Sequence, residues 1–153
     1  MIRLARRGLL LGAGALALAA PARAAGMEMT VWKNRGCGCC TAWAQPFQTA
    51  GYLVTMHEVD DLGPVRAATD VPPELAGCHT AEVGGYVVEG HVPVEDVERL
   101  LAERPPISGI AVPGMPVGSP GMELPGIPGE AYQVIAFTAD GGSYVFRSIP
   151  AAG

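Results

Sequence analysis

The hydrophobic pattern switches between two periods along the chain. Met29 to Trp32 is a short β-branched and aromatic run that predicts a strand, running into the loop-forming Lys33-Asn34-Arg35-Gly36. From Thr41 to Ala50 the spacing becomes helical: Ala42, Trp43, Ala44, Phe47 and Ala50 share one face, and Gly51 is a natural stop. Pro46 lies inside this segment and is expected to kink the helix or end its first part, because it removes a donor and crowds the preceding turn. Tyr52 to Val59 reads as a second strand, apolar enough for burial on both faces. Strand, helix and strand in this order make a βαβ unit with parallel strands. The turn after its first strand lies where open α/β sheets place their sites.

Beyond this unit, Pro64 to Thr69 has room for one or two helical turns before Val71-Pro72-Pro73 breaks them. Ala81 to Glu89 reads as a strand interrupted at Gly84-Gly85, and Gly90-His91-Val92 turns out of it. The clearest helix spans Pro93 to Arg104, with Glu95 and Asp96 early, arginines late, Val94, Val97, Leu100 and Leu101 on one face, and Pro105-Pro106 as a stop. Residues 108–129 are rich in Gly and Pro and echo Pro113-Gly114-Met115 in Pro120-Gly121-Met122, which predicts a long loop serving as a lid or a linker. Tyr132 to Phe137 and Ser143 to Phe146, joined around Asp140-Gly141-Gly142, predict a C-terminal β-hairpin. Alternating strands and helices place the chain in the α/β class.

The N-terminus changes the picture of what folds. Arg3, Arg6 and Arg7 precede an apolar run from Gly8 to Ala20, and Ala22-Arg23-Ala24 fits a cleavage site, so residues 1–24 are expected to be a signal peptide and 25–153 a single domain. Arg6-Arg7 also fits a twin-arginine export signal. The apolar run is shorter than a membrane span needs, so none is expected in the mature chain. Cleavage after Ala24 removes four of the ten Lys and Arg and none of the fifteen Asp and Glu, taking the formal charge from −5 to −9. An acidic exported domain is not built to bind nucleic acid.

The candidate chemistry is sulfur. Three of the four cysteines fall in Cys37-Gly38-Cys39-Cys40, and the fourth, Cys78, is followed by His79. An exported domain of this size does not need disulfides to fold, although two structural disulfides are the default in an oxidising compartment. Against that default, adjacent cysteines bridge only with strain and a tight cluster closes small loops with little entropic gain. Cys37 and Cys40 are spaced C-x-x-C at a helix start, where free N–H groups favour thiolates for redox exchange or metal binding. Cys39 separates the two uses: a third neighbouring sulfur scrambles a dithiol exchange and adds a donor to a metal site. With Cys78 brought near, four thiolates suit one tetrahedral ion or several bridged ions, with Cu(I), zinc and iron–sulfur clusters all open. Lys33 and Arg35 are near enough in sequence to offset thiolate charge, or to be solvated loop charges. His79 is a further candidate ligand, with His91 and His57 secondary and His57 more readily structural. Met115 and Met122 offer soft thioethers from the loop, or pin it to the core.

Gly36-Cys37-Gly38-Cys39-Cys40, Cys78-His79-Thr80, Tyr86-Val87-Val88-Glu89-Gly90-His91-Val92-Pro93 and Gly114-Met115-Pro116-Val117-Gly118-Ser119-Pro120-Gly121-Met122, in this order, resemble the CopG-type copper-resistance proteins, a family often described only as a domain of unknown function. The resemblance covers nearly the whole mature chain. It implies a thioredoxin-like α/β fold with a central mixed sheet, helices on both faces and the C-terminal hairpin. It also implies a periplasmic location, a copper site on Cys37, Cys39, Cys40 and Cys78 holding one or more Cu(I), and a part in handling excess copper by cycling Cu(I) and Cu(II). Partners are then copper ions and other periplasmic copper-handling proteins. Zinc is the alternative metal, and a periplasmic thiol–disulfide oxidoreductase the alternative function. Whether the protein turns over as an enzyme is left open by the sequence.

Overall fold

The computed structural model describes residues 26–152, so the expected signal peptide at 1–24 lies outside the described residues. The elements follow as β1 (Glu28–Asn34), α1 (Gly38–Ala50), β2 (Leu53–Val59), α2 (Gly63–Ala68), a 3-10 turn (Pro73–Leu75), β3 (His79–Val83), β4 (Tyr86–Glu89), α3 (Val94–Glu103), β5 (Gly109–Ala111), β6 (Tyr132–Phe137) and β7 (Ser143–Ile149). The strands form one seven-stranded mixed sheet in the order β2-β1-β3-β4-β5-β6-β7. Pairs β1/β2 and β4/β5 are parallel and the others antiparallel. The α/β class, the parallel βαβ unit and the C-terminal hairpin follow the sequence pattern, and the central mixed sheet is the one the resemblance implies.

Period-two alternation decides what each face of the sheet meets. Met29, Val31, Ala81, Val83, Tyr86, Val88 and Ile110 form one face and pack with Trp43, Ala44 and Phe47 of α1 and with Val97 and Leu100 of α3. The opposite face carries Val87, Ala111 and Phe137, covered by Val71 and by Leu75 of the 3-10 turn. The two longer helices therefore share one face, and the α2 region lies on the other.

Four segments depart from the sequence pattern. Helix α1 runs through Pro46 and begins at Gly38, so Cys39 and Cys40 lie in its first turn rather than in a loop before it. An internal proline costs about 3 kcal/mol, whereas full burial of large apolar side chains gives about 1.5–3 kcal/mol each. Trp43 and Phe47, both 0 % exposed, outweigh the proline. Strand β2 is the sheet's edge and has no fully buried residue, with Leu53 well exposed, because among the described residues a strand, β1, flanks it on one side only. The interrupted strand at Ala81 to Glu89 is a hairpin whose two-residue turn, Gly84 (φ 57°) and Gly85 (φ 86°), takes the left-handed conformations a tight reversal needs. Finally, the loop at 108–129 yields Gly109–Ala111 to β5, a strand too short to show a period. Among the described residues no helix is long and apolar enough to cross a membrane.

Candidate metal centre

Two backbone features assemble the sulfurs. Cys37 is the N-cap of α1 in extended conformation, with no side-chain cap hydrogen bond and no acid in the first turn, so the helix start that carries Cys39 and Cys40 leaves its free N–H groups without a carboxylate partner from that turn. Cys78 directly precedes β3, which pairs antiparallel with β1 so that His79 stands opposite Lys33. This pairing carries Cys78 across the sequence to the end of β1, where α1 starts. Its Sγ lies 3.3 Å from that of Cys37, 3.4 Å from Cys39 and 3.2 Å from Cys40, and Cys37 and Cys39 are 3.5 Å apart. All four sulfurs fall within 4.8 Å of one another. In the state described, Cys37 and Cys40 form a disulfide and Cys39 and Cys78 are free thiols.

Cys78 is held by a buried polar clamp. The Glu89 carboxylate, 0 % exposed, accepts from Arg66 Nε at 2.9 Å, from the Gly77 amide at 2.7 Å and from Thr80 Oγ1 at 2.6 Å. Arg66 also donates to the Gly77 carbonyl at 2.8 Å, so both backbone groups of the residue before Cys78 are tied. Gly77 is needed there, since a Cβ would come within 2.6 Å of the Gly90 Cα. Lys33 and Arg35 do not serve the thiols. Lys33 donates to Glu58 at 2.7 Å and Arg35 to Asp60 at 3.1 Å, both acids from the β2 side. The guanidinium that favours a thiolate at Cys78 belongs to Arg66.

Burial disfavours charge on the Cys78 sulfur and on the imidazoles of the pocket. Burial pushes the Cys78 thiol up to about 12, and the neighbouring Cys39 pushes in the same direction, because crowded sulfurs cannot all carry charge unaided. Beside the sulfurs lie two fully buried imidazoles. His79 packs on Trp43 at 4.1 Å between ring centroids and meets His91 edge-on at 5.2 Å. Burial pulls His79 down to about 3, assisted by His91 and then Arg66. It lowers His91 too, against the opposing hydrogen bond from its Nδ1 to the Pro120 carbonyl.

Residues 75–122 match the family described as protein of unknown function DUF411. Two solved structures, described as copper resistance protein copG forms 1 and 2, are each 40% identical with a TM-score of 0.76. Each match covers 82% of this chain, and 98% and 99% of theirs respectively. This chain belongs to the CopG copper-resistance family. Among curated proteins no match is found.

In this CopG-family chain the four cysteines expected from sequence come together, with His79 beside them. Trp43 and Phe47 pack as helix core, as their spacing implied, while Trp43 also walls His79 and donates through Nε1 to the Val92 carbonyl at 2.8 Å. His57 is exposed on the edge strand β2, its ring stacked on Trp32, rather than held in the core. Met115 is more than half exposed, and Met122 is half-buried beside Gly121, whose Cα lies against the Cys39 carbonyl and Trp43 amide of α1. Sequence reasoning missed Arg66 and the site role of Glu89. A lone acid ending the apolar Tyr-Val-Val run was the available signal for Glu89, since a carboxylate there must find partners. Nothing in the sequence around Arg66 marks it.

Proposed function

We propose that this protein is an exported, periplasmic copper-binding protein whose reduced cysteines 37, 39, 40 and 78 hold Cu(I), acting in copper resistance or homeostasis. The single observation that carries the reading is the convergence of four sulfurs within 4.8 Å, three from one helix start and one from the distant segment that enters β3. Soft thiolates select Cu(I) over harder ions, and this crowding suits sulfur bridging of more than one ion, with zinc the alternative single-ion occupant. Sulfurs joined in a disulfide are poor donors, so binding by all four first needs two electrons to open the Cys37–Cys40 bond. The reverse step gives a route for redox cycling. When the dithiol closes to the disulfide it releases two electrons and two protons, enough to take two Cu(II) ions to two Cu(I). Met115 and Met122 are proposed as soft donors along the entry path, presented by the loop that Gly121 seats on α1.

We read the β2-β1-β3-β4 part of the sheet as thioredoxin-like. Support comes from the parallel β1/β2 pair, the antiparallel β3, and a cysteine turn between β1 and α1 faced by the residue entering β3. That arrangement and the disulfide also favour a second reading, a thiol–disulfide oxidoreductase using Cys37 and Cys40. Anaerobic Cu(I) titration of the reduced protein separates the two. The copper reading expects a saturable thiolate-to-copper absorption band that Cys39→Ser diminishes. Absence of uptake, with insulin reduction that survives Cys39→Ser, would establish the oxidoreductase instead.

A further inference from the structure

Charge is unevenly spread along the chain. Leaving aside the expected signal peptide, residues 25–104 hold twelve of the fifteen acids and five Lys and Arg, a net −7, whereas 105–153 hold only Glu123, Glu130, Asp140 and Arg147, a net −2. Two of these four are engaged within the chain: Arg147 pairs with Glu95 and Asp96, and the Glu130 carboxylate accepts from the Val117 amide at 3.2 Å. The exposed apolar side chains follow the same division. Among the described residues, Met115, Leu124 and Ile127 stand open in the loop between β5 and β6, Tyr144 and Val145 on β7, and only Leu53 lies elsewhere. Single exposed apolar residues need no explanation, but a charge-poor cluster of them marks a surface that another molecule covers.

Within this region a knob stands beside a groove. Leu124-Pro125-Gly126-Ile127 is a tight turn in which the Ile127 amide donates to the Leu124 carbonyl at 3.1 Å and Gly126 takes φ 76°. It sets Leu124, 50% exposed, beside Ile127, 56% exposed, at its two ends. Two residues on, Gly129 packs on Gly118 and accepts from the Ala152 amide at 3.0 Å, so the turn stands on a braced base. Directly after that base, Tyr132 and Ile135 of β6 join Ile149 of β7, Pro113 and Pro150 around an open, mainly apolar groove of about 780 Å³. Its polar members, Gln133 and Ser148, are neutral. Five prolines between 113 and 128 restrict the loop's backbone, which leaves little conformational entropy to lose on docking.

We propose that this surface pairs two copies of the chain about a two-fold axis, the Leu124–Ile127 turn of each copy seated in the β6–β7 groove of the other. A two-fold contact needs one patch that carries both a projection and its complement, and here the two are a few residues apart. Charge selects the occupant. A cationic partner would be drawn to the acidic residues of 25–104 rather than to this neutral patch. Two copies of net charge −9 repel where their acidic surfaces meet and repel least here. Residues 113–119, 124–135 and 148–152 together supply the roughly 20–30 residues a side that a specific interface uses. Gly121 of the same loop packs on the Cys39 carbonyl, so pairing braces the roof of the cysteine turn without adding a group to it.

The test is the oligomeric state of the metal-free mature chain in reductant, which excludes disulfides between copies through Cys39 or Cys78. Sedimentation equilibrium from micromolar to millimolar concentration is expected to show a reversible monomer–dimer equilibrium. Ile127→Asp and Gln133→Arg, both at exposed positions and checked for folding by circular dichroism, are each expected to weaken pairing at least tenfold. An equimolar mixture of the two variants should pair more tightly than either alone. Its heterodimer keeps one intact contact and sets the introduced carboxylate against the introduced guanidinium in the other. Leu53→Asp, on the far edge of the sheet, should leave pairing unchanged. A chain that stays monomeric to millimolar concentration overturns the proposal, whether the patch is then bare or covered by a different protein. A dimer that Ile127→Asp leaves intact, that Leu53→Asp weakens equally, or whose variants pair no better when mixed also overturns it. With no metal present, each of these outcomes leaves the copper reading untouched.

Discussion

Removing Glu89 tests whether a buried ionic clamp, rather than the sheet alone, places Cys78. The carboxylate is 0 % exposed and accepts three short hydrogen bonds, one from the Gly77 amide next to the cysteine and one from Arg66, whose side chain is 21% exposed. Each bond to a charged acceptor is worth about 1.5–3 kcal/mol singly. They share one group and do not add, and breaking a buried pair costs about 3–5 kcal/mol. Glu89→Ala is therefore expected to lose about 3–5 kcal/mol, a third or more of a typical domain's 5–15 kcal/mol. Glu89→Gln, which keeps one acceptor oxygen, should lose roughly half as much. Urea unfolding of the reduced, metal-free protein, followed by tryptophan fluorescence, measures both. Arg66→Met leaves Glu89 buried without its cation, so it should be costly alone. Combined with Glu89→Leu, the loss should fall short of the two single losses together by about 2 kcal/mol. Strict additivity, or a Glu89→Ala loss below about 1 kcal/mol, would refute the clamp.

Other consequences are directly measurable. The folded chain keeps His79 neutral down to about pH 3, whereas the unfolded chain protonates it near 6.5. Between those values the unfolded state binds the extra proton, so metal-free stability is full above about pH 6.5 and is lost as pH falls, by about 2 kcal/mol at pH 5. His91, also depressed, acts in the same sense, and flat stability from pH 7 to 5 would contradict this burial. Because Cys78 is a thiol at neutral pH, with its pKa pushed up to about 12, its metallation must release a proton. A pH indicator in weak buffer should register that release, and apparent Cu(I) affinity should rise about tenfold per pH unit for each thiol that ionises. At Gly121, with φ +83° and a prospective Cβ only 2.6 Å from the Cys39 carbonyl, Gly121→Ala should displace the loop. A thermal shift lowers its melting temperature by several degrees, corresponding to about 1–3 kcal/mol. An unchanged melting temperature would show that the loop does not seat on α1.

The sequence by itself determined the parts whose cause is local. Alternation at Met29–Trp32, helical spacing from Val94 to Leu101 and the turn at Asp140-Gly141-Gly142 are visible because period and turn chemistry act within a few residues. The sulfur chemistry was legible for a similar reason, since three cysteines in four residues are near one another in any fold. Tertiary structure decided what depended on neighbours distant in sequence. Strand β2 looks buried by composition and is exposed because, among the described residues, no strand pairs beyond it. Pro46 looks like a helix break and is overridden by the burial of Trp43 and Phe47. Arg66, Gly77, Thr80 and Glu89 carry no common signal along the chain, because a buried carboxylate draws donors from wherever the fold places them. The pairing of β1 with β3 is what turns Cys78 and the buried histidines from separate residues into one pocket. That pairing is a long-range event, set by which apolar faces α1 and α3 can cover together.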